Sequence, residues 1–137
     1  MRDRVPFLIY RAAESSMALA NAMLAVTTLT ARQVGILTMI IEFEPMTQKA
    51  LGDALRIDRN TMVSLVDDLE AKALAVRERH PHDRRAYLVV PTEAGRAAKI
   101  AAVRVLDQQQ EQFLAPLTPA ERVQLAELLH KLYRPPS

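Results

Sequence analysis

Residues 47–95 read TQKALGDALRIDRNTMVSLVDDLEAKALAVRERHPHDRRAYLVVPTEAG, and a change of hydrophobic period inside this stretch decides the fold. Thr47 opens a short helix, 47–55, with Leu51 and Leu55 on one side. Arg56, Ile57 and Asp58 make a tight turn. Asp58 suits the cap of a second helix, 58–73, because its carboxylate can accept from the free amides of a first turn. Met62, Leu65, Val66 and Leu69 follow at i, i+3, i+4 and i+7, which makes one buried stripe. After Leu74 the period shortens to two. Ala75, Arg77 and Arg79 fall on one face of a strand, Val76 and Glu78 on the other. AYLVVP (86–91) is a second β-rich run. The two strands enclose HPHDRR (80–85) and make a hairpin, after which Thr92 caps a helix over 93–114.

A short helix, a turn and an amphipathic helix form a helix-turn-helix pair, and a basic hairpin directly behind it makes the pair winged. The geometry gives the arrangement a use. A helix fits the major groove of B-DNA, about 12 Å wide, while the hairpin reaches the next minor groove or the phosphates. With the stripe turned inward, helix 58–73 presents Arg59, Asn60, Thr61, Val63, Ser64 and Asp67. Arg59 suits a guanine edge and Asn60 an adenine edge. Thr61 and Ser64 suit a phosphate or a base, and Val63 a thymine methyl. Thr47, Gln48 and Lys49 stand at the start of the preceding helix, whose free amides suit a phosphate. Arg77, Arg79, Arg84 and Arg85 make the hairpin basic, and arginine is favoured in a narrow minor groove. Asp83 at the tip would be repelled by DNA unless it holds something in place. The expected role is to orient Arg85 by a charge-assisted bond across the turn.

The flanks are helical too. Residues 5–25 carry Pro6 in the first turn, with Leu8, Ala12, Leu19 and Met23 at helical spacing. Residues 30–43 open on a capping box, Thr30 with Gln33, and turn Val34, Leu37 and Ile41 inward. A last helix starts at Thr118, with Pro119 at its first position and Glu121 at its third; the terminal Pro-Pro-Ser is expected to fray. The fold class is therefore mainly α with a small β-hairpin: one domain over 1–137, a winged core at about 30–92, and outer helices at about 5–25 and 93–134. The outer helices are too apolar for a lone winged helix to bury, so a second copy is expected to cover them. A twofold dimer predicts a pseudo-palindromic site with half-sites about 10 bp apart.

The totals exclude several functions. The chain has no cysteine, which removes disulfides, zinc fingers and thiol chemistry. It has no Gly-rich phosphate loop and no His-Glu-x-x-His, and Asp67 and Asp68, being adjacent on a helix, point in different directions; no catalytic residue is expected. The apolar runs are too short to span a membrane. The N-terminus is interrupted by Arg11 and Glu14 and lacks a cleavage site, so it reads as a helix rather than a signal peptide, and a cytoplasmic protein is expected. His80 and His82 flank Pro81 with no further ligand near in sequence; polar turn residues are preferred to a metal site, and no cofactor is expected. His130 reads as an ordinary surface or interface residue. The net charge of +2 says little about partners, because placement outweighs the total.

LTARQVGIL (29–37), followed by the stretch quoted above through Arg96, resembles the MarR family of bacterial transcription regulators. The carrying signature is Asp-Arg-Arg in the wing, an apolar strand, then Thr-x-x-Gly: here Asp83, Arg84, Arg85, Thr92 and Gly95. The resemblance implies a homodimer in which the first and the last two helices interlock. It implies a DNA-binding regulator, a repressor, released by a small phenolic or aromatic-carboxylate ligand lodged between dimer region and DNA-binding lobe. It makes 58–73 the recognition helix, Arg85 the minor-groove residue and Asp83 its partner. Tyr10, Met17, Met39 and Phe43 lie on the two helices where the family's ligand pocket is partly built. The sequence departs from the pattern at Ala73, where a glycine usually closes the recognition helix, and at Ser64 and Asp68, which are often basic. The competing function is a dimeric winged-helix module whose wing meets protein rather than DNA. Separately, Arg77, Arg79, Arg84 and Arg85 can be read as no more than a solvated, edge-protecting charge set on a short hairpin.

Overall fold

The computed structural model describes residues 1–133, so the expectation that the terminal Pro-Pro-Ser frays lies outside the described residues. Six helices and three short strands alternate along the chain: α1 Val5–Leu24, α2 Ala31–Glu42, β1 Met46–Thr47, α3 Gln48–Leu55, α4 Arg59–Ala71, β2 Ala75–Arg79, β3 Tyr87–Pro91, α5 Glu93–Phe113 and α6 Pro119–Leu132. The fold is mainly α with a small antiparallel sheet, a winged helix-turn-helix carrying long helices at either end.

Side-chain caps fix most of the helix starts. Thr30 and Gln33 close a reciprocal capping box on α2, as do Thr118 and Glu121 on α6. Thr47, Asp58 and Thr92 each accept the amide three residues on, from Ala50, Thr61 and Gly95. These five caps stand where the sequence placed them. The first strand was not expected. Met46 and Thr47 pair with Val89 and Leu88, so the sheet runs β1-β3-β2 and the hairpin is tied back to the start of α3.

The core lies between α2, α4 and the sheet. Ile36, Leu37, Ile40, Leu51, Met62, Val66, Leu69 and Val89 are almost wholly buried. Removing one such side chain from water stabilises the fold by roughly 1.5–3 kcal/mol. Leu65 and Ile41, expected inside, are only partly buried at its margin, and Ile36 and Ile40 fill the place expected for Ile41.

The Thr-x-x-Gly motif has a mechanical reason. The Thr92 hydroxyl donates to the Ala73 carbonyl at 2.7 Å and accepts the Gly95 amide at 3.0 Å. A Cβ on Gly95 would stand 1.9 Å from the Leu74 carbonyl oxygen. The start of α5 thus presses directly against the backbone that leaves α4, and only glycine permits it.

The outer helices are covered on one side at most. On α1 only Ala20 and Leu24 are buried, and α6 has no buried residue. Val5, Leu8, Tyr10 and Met17 on α1, and Val123, Leu128, Leu129, Leu132 and Tyr133 at the other end, are exposed. Among the described residues no helix is long and apolar enough to cross a membrane.

Candidate nucleic-acid interface

The exposed side of α4 begins at its cap. Asp58 accepts the Thr61 amide at 2.8 Å and the Thr61 hydroxyl at 2.6 Å. These two bonds from Thr61 are the main reason its carboxyl titrates below the ordinary 3.8, and nearby Arg32 adds a smaller effect. The first turn is thereby locked with Arg59 and Asn60 facing solvent. Ser64 is exposed as well, while Thr61 and Val63 are half-buried. The Thr61 hydroxyl proton is committed to Asp58, so what Thr61 offers a ligand is reduced.

A cleft of about 690 Å³ opens beside this turn. It is walled by Thr47, Gln48 and Lys49 from the start of α3, by Arg59 from α4, and by Arg77 and Arg85 from the wing, with Asp53 also on its edge. Residues that the sequence separates by nearly forty positions therefore share one concave surface. Arg79 and Arg84 are exposed on the wing but do not line the cleft.

Arg77 differs from the other wing arginines. The sequence put it with Arg79 as a surface cation. In the structure Nη2 meets Asp67 at 2.7 Å, Nη1 meets Glu70 at 2.8 Å, and Nε donates to Gln48 Oε1 at 2.6 Å. Its side chain is only 19% exposed, and Nη2 also lies 3.4 Å from the Val63 carbonyl. The β2 alternation is real, but the face that carries Arg77 packs against α4 near its root and meets solvent only towards Arg79.

The wing tip corrects one expectation. Asp83 does not bond the Arg85 guanidinium. Its Oδ1 accepts the main-chain amide of Arg85 at 2.9 Å, and its carbonyl accepts the Ala86 amide at 3.2 Å. An aspartate two residues before an amide closes an Asx turn more readily than it reaches a long side chain. Asp83 therefore shapes the main chain from which Arg85 projects. His80 Nδ1 accepts the amides of both His82 and Asp83 at 3.1 Å, completing the turn.

A second set of contacts behind α4 was missed in the sequence. Gln33, buried inside its capping box, donates to the Leu65 carbonyl at 3.3 Å and to Asp68 Oδ2 at 2.6 Å. Lys72 bonds the same Asp68 oxygen and the Thr28 carbonyl. The capping box was the one available signal that Gln33 mattered; nothing in the spacing pointed to Asp68, thirty-five residues away.

The four residues expected near a ligand sit on α1 and α2 and at the end of α2. Tyr10 and Met17 stand two turns apart on exposed α1, Met39 packs against the core, and Phe43 is exposed at the end of α2. Neither the wing cleft nor a second cleft of about 540 Å³, between the ends of α3 and α6, includes any of them.

Residues 27–86 match the MarR family model. A Thauera aromatica protein described as a transcriptional regulator for the hcr operon is 38% identical over 100 residues, which cover 73% of this chain and 60% of that protein's length. Wild-type MarR from E. coli, in its apo form, superposes with a TM-score of 0.87 at 25% identity over 96% of this chain and 98% of the other. Bordetella bronchiseptica BpsR, whose DNA binding is regulated by 6-hydroxynicotinic acid, superposes with a TM-score of 0.84 at 29% identity over 95% and 93%. Winged architecture, wing motif, caps and relatives agree: the chain belongs to the MarR family of transcriptional regulators.

Proposed function

We propose that this chain is one MarR-like domain over 1–137 that binds double-stranded DNA as a homodimer in the cytoplasm and represses transcription until a small aromatic acid releases it. In this reading α4 enters the major groove and the wing reaches the adjacent minor groove. Arg59, Asn60, Val63 and Ser64 read bases, with Thr61, bonded to the Asp58 cap, as a secondary contact. Thr47, Gln48 and Lys49 meet phosphates, and Arg79, Arg84 and Arg85 meet the minor groove and its walls. One observation carries the reading: the exposed start of α4 and the cations of α3 and the wing border a single cleft. The stripe opposite it faces the core, with Met62, Val66 and Leu69 buried and Leu65 packed at the margin.

Release by a ligand is supported by BpsR, whose regulation by 6-hydroxynicotinic acid is extended here to this chain. Tyr10, Met17, Met39 and Phe43 are the residues proposed to meet the ligand. A ligand that prefers a lobe spacing unsuited to DNA would shift the population, and a coupling of ~1–3 kcal/mol would change affinity about 5–150-fold.

The test is site selection from random duplexes, followed by titration of the selected duplex across salt and across a panel of aromatic acids. Affinity should fall linearly in log salt, with a slope of ~0.9 per phosphate contacted. Arg85→Ala should weaken binding while leaving the dimer intact. Asn60→Ala should relax preference at one base pair by ~1–3 kcal/mol. A wild-type dimer that selects no sequence and shows no salt slope would instead favour a module that binds protein through its wing.

A further inference from the structure

We infer that Arg77 is a positioning residue for DNA recognition, acting through Gln48, rather than a DNA contact itself; this rests on the DNA-binding reading above. Arg77 has only donors, and every nitrogen of its guanidinium is engaged: Nε with Gln48, Nη1 with Glu70, Nη2 with Asp67. Its main-chain amide also donates to Glu70, at 3.0 Å. Of its five N–H donors four have partners, Nη2 bonding the Val63 carbonyl as well, so a single Nη1–H is left for a phosphate unless these bonds break.

The consequence falls on Gln48. A side-chain amide can present either its oxygen or its nitrogen to a ligand. Because Arg77 can only donate, it fixes the Gln48 oxygen on the inner side. Gln48 lines the cleft between α3 and the wing. What it has left for the cleft is its two N–H donors. Those suit a phosphate oxygen, an acceptor on every lone pair, and do not suit an exocyclic amine of a base. The same fork neutralises Asp67 and Glu70, two acids on α4 that would otherwise stand unpaired near the duplex.

Two substitutions separate this from the simpler idea that Arg77 supplies charge. Gln48→Glu still accepts from Arg77, but it turns a second carboxylate oxygen towards the cleft. It should fold and dimerise as the wild type does, with Tm no lower, and lose duplex affinity on the order of tenfold or more. Arg77→Lys keeps the positive charge but loses the three-way fork. It should lose affinity by about tenfold while its salt slope stays that of the wild type, whereas Arg85→Ala lowers the slope by ~0.9. The Gln48 side-chain amide resonances should move on adding duplex to the wild type and not on adding it to Arg77→Lys.

Wild-type affinity in Arg77→Lys would show that charge alone is needed and would overturn the inference, as would unchanged binding by Gln48→Glu. If Arg77→Lys does not fold, Gln48→Glu decides alone. Failure of the DNA-binding reading looks different: the wild type itself would then select no duplex, and both claims would fall together.

Discussion

Ala73 closes α4 with φ at 59°, in the left-handed region where a Cβ crowds the following carbonyl. For an L-residue this costs roughly 1–2 kcal/mol, which glycine avoids. Glycine also has more freedom to lose on folding, about 0.5–1 kcal/mol against alanine. The strain is the larger of the two, so Ala73→Gly should stabilise the protein by about 0.5–1 kcal/mol. Chemical denaturation at a fixed protein concentration measures this, since an oligomer's stability depends on concentration. A loss of stability would show that the Thr92 bond to the Ala73 carbonyl already relieves the turn. The departure at Ala73 was visible in the sequence as a missing glycine. Its φ explains why the glycine is the expected residue. By contrast, the partners of Arg77 were not legible, because period two fixes only the face of a strand. Whether that face meets solvent or a helix depends on how α4 docks against β2.

At the scale of elements, the helix starts were legible because each is written in four adjacent residues: a cap and the amide three positions on. The β1 strand was not, because two residues after Pro45 carry no alternation, and only pairing with Val89 and Leu88 makes them a strand. The link between α2 and α4 was hidden for a similar reason. It joins Gln33 to Asp68 and Lys72, and long-range polar contacts leave no period. The hydrogen bond from Lys72, and then that from Gln33, hold the Asp68 carboxyl below its ordinary 3.8. A carboxylate whose pKa is lowered by folding stabilises the native state above its unfolded value. That contribution is lost as pH falls below 3.8 and through the lowered folded value. The wild type should therefore lose more stability over this acid range than Asp68→Asn, whose side chain does not titrate. Denaturant midpoints of the two proteins at stepped pH give the comparison. Parallel curves would mean that the contacts around Asp68 do not hold α4 in solution.

At the scale of the whole molecule, the balance of burial is uneven. Between Leu24 and Ala102 the chain fills its own interior, whereas α6 and the first turns of α1 turn large apolar side chains to solvent. Leu128 is 50% exposed and Leu132 63% exposed, and an isolated helix of fourteen residues is marginal in water without a surface to pack on. A second copy interlocking α1, α5 and α6 is the covering proposed here, and it makes a direct prediction. Leu128→Lys should leave the winged lobe folded, because Leu128 is half exposed and stands outside the hydrophobic core cluster. It should convert the dimer to monomer, read by sedimentation. Two tethered half-site contacts gain on the order of 10²–10⁴ in avidity over one. The monomeric variant should therefore lose affinity of about that size for a duplex with two half-sites, and much less for a duplex with one. Helical content and the wing's amide resonances should persist in the variant, which separates lost pairing from lost folding. A Leu128→Lys protein that sediments as a dimer and binds the full site like wild type would move the interface off α6. The two recognition helices would then need another frame to meet one duplex about 10 bp apart.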